Sequence, residues 1–284
     1  MKAVLVLVCC GLVGGFLWVG GGMVNATEDL QPQEKSQQEA QRLWEQAIAA
    51  KGGRERLYAV RNLVVFHGEG KRDVALYVFP NKLWQRTDFR PTPLGLWVEM
   101  HNLERNLSYT INHADPVPRN EGRGSNLFRG APALTDAQRY YLLETQWMKP
   151  KPVKVATGRV GPQETDVVET LSDGSRVDFH LDRKSHLPLE VAIPSDDSIG
   201  TSYGRGTYYV TFSDYREVSG IQMPHRVGFL TNDKLPNAFE INVDYDEQIF
   251  ERPPNIADGP DAWRRSGQAV KEANKSARPQ EKKH

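Results

Sequence analysis

From Ser175 to Thr231 apolar and polar side chains alternate in run after run, and this period of two constrains the chain more than any other feature. Val177, Phe179 and Leu181 interleave with Asp178, His180 and Asp182. Leu189, Val191 and Ile193 follow, and then Tyr208, Val210 and Phe212 interleave with Tyr209, Thr211 and Ser213. A pleated strand sends successive side chains to opposite faces, so each run has one dry face and one wet face. Asp173-Gly174 and Ser219-Gly220 fall between runs, where tight hairpins need residues that tolerate positive φ. The pattern predicts an antiparallel meander that covers something apolar.

The first residues predict export. Lys2 precedes an uncharged apolar run from Ala3 to Val19, followed by Gly20-Gly21-Gly22 and Val24-Asn25-Ala26. One positive charge, an apolar segment and small residues in that order describe a secretory signal over residues 1–26, cut after Ala26. An uncleaved anchor is the alternative, and lipidation a further one. Both cysteines, Cys9 and Cys10, lie in this segment, so the chain beyond it has no disulfide, cysteine metal site or cysteine nucleophile. With 36 basic and 36 acidic residues, the charge balance gives no reason to expect nucleic acid as a partner.

Residues 27–35 are polar and read as a flexible segment. Ser36 and Glu39 have capping-box spacing, and Ala40, Leu43, Trp44, Ala47 and Ile48 then share one helical face up to Gly52-Gly53. Strands are expected near residues 63–70, 74–78, 82–88, 96–100 and 107–112. Seven more follow near residues 153–158, 166–171, 176–181, 188–193, 207–215, 221–231 and 238–245. Residues 114–133 are rich in proline and glycine and read as a long loop. Thr135 is expected to cap a second helix that reaches Glu144 or Trp147. The hydrophobic pattern stops after Pro254. One domain over residues 36–254 and a disordered tail over 255–284 complete the layout.

Three phrases stand out: Leu181-Asp182-Arg183-Lys184-Ser185-His186-Leu187-Pro188; the run from Tyr209 to Ile221 with Met223-Pro224-His225; and Ala49-Ala50-Lys51-Gly52-Gly53-Arg54 before Leu57 and Val60. They resemble the LolA-like superfamily of periplasmic lipoprotein carriers and outer-membrane lipoprotein-sorting proteins. The resemblance implies a mainly β (α+β) fold: a strongly curved antiparallel sheet forming an unclosed barrel, with an N-terminal helix and a second helix on the concave side. It also implies a lipid or lipoprotein acyl chain as partner. No single arginine matches the carriers' functional arginine.

Trp84, Trp97, Phe179, Phe212 and Phe229 are candidates to line the concave face, with Tyr140, Leu143 and Trp147 on a helix that packs over it as a lid. Taken singly, each aromatic reads more plainly as ordinary core. No zinc-helix, nucleophile-elbow or phosphate-loop motif is present, so no catalysis and no cofactor are expected. Asp178, His180 and Asp182 share one strand face, a row that suits either a divalent ion or, as the plainer reading, a solvated outer surface. His67, His101, His113, His186 and His225 read as scattered surface or hydrogen-bonded residues. The leading functional expectation is a monomeric periplasmic carrier that buries an acyl chain, lipid or lipoprotein. The alternative is an envelope interaction or stress-sensing module whose interior is permanently filled.

Overall fold

The computed structural model describes residues 32–69, 73–114, 116, 119–120, 136–172, 175–195, 206–229 and 235–265. The expected signal, Thr135, the Asp173-Gly174 turn, most of the proline- and glycine-rich loop and everything after residue 265 lie outside the described residues.

Among the described residues thirteen strands form one sheet. The first six are Asn62–His67 (β1), Asp73–Val78 (β2), Lys82–Asp88 (β3), Leu96–Asn102 (β4), Leu107–Asn112 (β5) and Arg119–Asn120 (β6). The next four are Lys151–Val160 (β7), Gln163–Ser172 (β8), Ser175–Asp182 (β9) and Pro188–Ser195 (β10). Gly206–Val218 (β11), Ile221–Phe229 (β12) and Leu235–Ile241 (β13) complete the set. Every pairing is antiparallel. The order runs from β6 back to β1, then from β13 back to β7, which leaves β6 and β7 as two edges of an unclosed sheet.

The sheet is curved around its helices. Helix α1 (Pro32–Lys51) packs against β7, β8 and β12. In a flat sheet β8 and β12 would stand roughly 19 Å apart at about 4.8 Å per strand, more than the roughly 10 Å width of a helix. Only a sheet that wraps the helix brings all three strands to it.

Each face has its own core. On the concave side Leu63, Val65, Phe179 and Phe212 pack with Trp44 of α1 and with Leu57 of the short helix α2 (Arg54–Tyr58). On the convex side Val64, Phe66, Trp84 and Met100 pack with Ile249, Phe250 and Trp263. This explains why β1 and β2 are apolar at nearly every position, whereas β9 alternates: only the first are covered on both faces.

Four expectations are corrected. Helix α1 begins at Pro32, where a missing N–H costs nothing, so Ser36 sits within the helix and is no cap. Its hydroxyl accepts instead from Val155 N of β7 at 3.2 Å, while Glu39 pairs with Arg42. The second helix is a single π-helical turn, Ala137–Leu142, ended by Leu143 at φ 64°. The last strand starts three residues earlier than expected and stops four earlier, at Ile241, because Asn242 adopts φ 55° and bonds Arg61 N and Ala59 O. Finally, the chain is folded through residue 265: Trp263 is wholly buried and Arg264 pairs with Glu240 at 2.8 Å.

Candidate functional site

The concave face and the pieces that fill it form the candidate site. Its floor comes from the alternation of β9 to β12, which sends Phe179, Val191, Phe212 and Met223 inward. Above the floor, the Trp44 indole lies edge-on to Phe179 with ring centroids 4.8 Å apart. From the π turn, Tyr141 meets Phe239 of β13 at 5.2 Å and Tyr140 meets Tyr208 of β11 at 6.3 Å.

The plug is tied together by one carboxylate. Glu144 is only 3% exposed and accepts from Trp44 Nε1 at 3.1 Å and from the Tyr58 hydroxyl at 2.5 Å. It also pairs with Arg54, whose other guanidinium nitrogen forks to Glu45 at 2.7 and 2.8 Å. Burial and this carboxylate push the Tyr58 phenol above its ordinary pKa. A buried carboxylate persists only when its lone pairs are filled, and here the donors come from both helices. Glu144 therefore couples the segment after the π turn to α1 and α2. The turn is braced from within by Leu143 N donating to Gln138 O at 2.7 Å and Gln138 Nε2 donating to Met148 O at 2.8 Å.

The sequence candidates separate by position. Phe179, Phe212 and Leu143 are buried in the concave core, and Tyr140 is half-buried against it. Trp97 is half-buried at the β3–β4 end, edge-on to Phe89 at 6.5 Å. Trp147 is 52% exposed and does not cover the concavity. Phe229 pairs with Val210 through its backbone, and its side chain lies outside the described residues. Trp84 is a correction: it stands on the convex face between Leu76 and Met100, under Trp263. Its neighbour Leu83 takes the inward position, and a strand cannot send both to one side.

The outer row of β9 is held by local partners. Arg176 forks to Asp178 at 2.9 and 2.7 Å. His180 lies beside Thr165, and its imidazole is held below the ordinary pKa by burial. Asp182 caps the turn to β10, accepting from Lys184 N at 2.9 Å and from Ser185 N at 2.6 Å. The Asp182 to Pro188 phrase is thus an Asx turn, in which the carboxylate replaces backbone partners. Among the described residues no three His, Asp or Glu side chains are placed to hold a metal ion.

Sequence reasoning missed two polar groupings. Glu144 gave no signal, since its partners are 86 to 100 residues away. His101 Nδ1 lies 2.9 Å from Ser108 Oγ, with Glu99 3.7 Å from Nε2. Such a trio resembles a nucleophile and base, but Ser108 has no exposed surface, so the pair ties β4 to β5.

No protein-family model and no curated protein matches the chain. Solved structures are similar to it, two of them as follows. The crystal structure of an outer membrane lipoprotein-sorting protein domain from Vibrio parahaemolyticus aligns at a TM-score of 0.37 and 11% identity, over 77% of this chain and 97% of that one. A LolA superfamily protein from Nitrosomonas europaea aligns at 0.38 and 10%, over 75% of this chain and 97% of that one.

Proposed function

We propose that the protein is an exported binding protein that holds an acyl chain, as free lipid or as part of a lipoprotein, between the concave face and its plug. It works by burial and release, without bond chemistry. The observation that carries this reading is the makeup of the plug. An apolar face from β8 round to β3 is covered by small separate pieces, and the π turn is clipped to the helices through one side chain, Glu144.

Magnitudes favour exchange of ligand for plug. An acyl chain of about 14 methylenes gains on the order of 11 kcal/mol on burial, at about 0.8 kcal/mol each. Uncovering Tyr141, Leu142 and Leu143 costs about 1.5–3 kcal/mol per side chain, roughly 5–9 kcal/mol together. The difference is small and favourable, as release requires. No described helix is long and apolar enough to cross a membrane, and the apolar N-terminal run supports export by a signal.

One observation favours the second reading, a sensory or interaction module with a filled interior. Phe179 and Phe239 already have aromatic partners from the plug, Trp44 and Tyr141. Native mass spectrometry of the protein purified from membranes without added lipid separates the two. A co-purifying acylated molecule at one per chain supports the carrier. A bare mass, unchanged after incubation with long-chain lipids, overturns it.

A further inference from the structure

Near one end of the sheet the concave face carries a cross-strand row of polar side chains that the apolar lining does not explain. His67 of β1 pairs with Asn237 of β13 and with Asp73 of β2. Continuing the β12–β13 and β11–β12 registers places His225 opposite Asn237 and Asp214 opposite His225. Strand alternation fixes the face: Val65 and Phe239, two residues inward on β1 and β13, and Met223 and Val227, either side of His225, all belong to the concave core. The row is therefore Asp73, His67, Asn237 and His225, with the exposed Asp214 across from His225, where a positive φ breaks the alternation of β11.

Three buried side-chain atoms at its centre lack partners. Asn237 is 6% exposed, and neither Nδ2 nor Oδ1 has a hydrogen-bond partner. His67 approaches the Asn237 amide without completing a bond of acceptable geometry. His225 Nε2 is also buried without a partner, its ring edge-on to Phe239 at 5.6 Å. Leaving one such group unsatisfied costs about 1–3 kcal/mol, and here three atoms in adjoining residues are left so. Phe239 touches both His225 and Tyr141 of the π turn, which places the row beside the plug.

We infer that this row is a subsite for the uncharged polar head of the acyl ligand, an ester, amide or glyceryl group, with Asn237 at its centre. Asn237 offers both a donor and an acceptor, and His225 Nε2 offers a third group. The row from His67 to His225 spans about 10 Å at about 4.8 Å per strand, the size of one glyceryl ester head. Charge selects against an anion. Asp73 lies at one end and Asp214 beside His225 at the other, and the Arg216 guanidinium that acts on His225 is forked to Asp214 at 3.0 and 2.7 Å. Burial holds both imidazoles below their ordinary pKa, which keeps the two rings neutral.

This inference rests on the carrier reading, and its test separates the two. The affinities of a 1-monoacylglycerol and of the fatty acid with the same chain are compared by calorimetry at pH 8, for the full chain and for Asn237→Leu. The wild type is expected to prefer the monoacylglycerol by at least about tenfold, and Asn237→Leu to lose that preference while keeping its affinity for the fatty acid. Asn237→Val serves where leucine is not accommodated. Equal binding of both lipids, unchanged by the substitution, overturns the subsite and leaves the carrier reading standing. Binding of neither overturns both.

Discussion

Glu144 holds the Trp44 indole through its Nε1–H at 3.1 Å, while the same indole lies edge-on to Phe179 at 4.8 Å. A residue just beyond the π turn is thereby linked through α1 to the floor of the concave face. Glu144→Ala leaves Trp44 Nε1 and the Tyr58 hydroxyl without their acceptor and is expected to cost about 1–3 kcal/mol. Glu144→Gln keeps one carbonyl oxygen and should cost less. Urea midpoints for the three proteins check the order, and equal midpoints would remove Glu144 as the clip.

Lys51 is fully buried at the end of α1, where its ammonium donates to Gln222 O and lies 5.3 Å above the Tyr215 ring. Burial pulls its pKa down to about 7 from 10.5. Below that value folded and unfolded chains both hold the proton. Between it and 10.5 only the unfolded chain binds it, so stability rises with pH there by up to about 1.4 kcal/mol per unit. Relative to Lys51→Met, the wild type should gain about 2 kcal/mol between pH 7 and pH 9. Parallel pH curves from urea unfolding would contradict the assignment.

Gly52 adopts φ 122°, and a Cβ there would stand 2.2 Å from Gly220 O in the β11–β12 turn. Gly161 also has positive φ but open space around it. Both alanine variants carry backbone strain of about 1–3 kcal/mol, and only Gly52→Ala adds a backbone clash. Thermal unfolding should place Gly52→Ala clearly below Gly161→Ala. The reverse order would mean that the helix end and the hairpin do not touch.

Trp263 is buried against the convex face, its Nε1 donating to Pro260 O at 3.0 Å and the Arg264 guanidinium 4.2 Å above its ring. Trp263→Ala is expected to cost about 3–5 kcal/mol, as for other large core aromatics. Truncation after residue 254 should destabilise at least as much. A truncated chain with wild-type stability would make the C-terminal segment an appendage.

Strand existence was legible wherever a single face was dry, because a period of two is local. The runs through Phe179 and Phe212 were read correctly, and so was the Ser219-Gly220 turn, at φ 52° and 78°. Trp84 was misplaced because β3 is covered on both sides, and then Leu83 and Trp84 give no sign of which points inward. Ser36 carried a real capping signature that a tertiary bond to Val155 overrode. The polar row could not be seen at all. His67 joins Asn237 and His225 only through the pairing of β1 with β13, a long-range register that no local pattern encodes.

Hydrogen exchange at the Leu143 amide, which donates to Gln138 O at 2.7 Å and closes the π turn, tests displacement of the plug most directly. Saturating 1-monoacylglycerol should speed exchange there while leaving the β9–β10 amides protected. Ligand bound with Leu143 as slow as in the free protein would contradict the account.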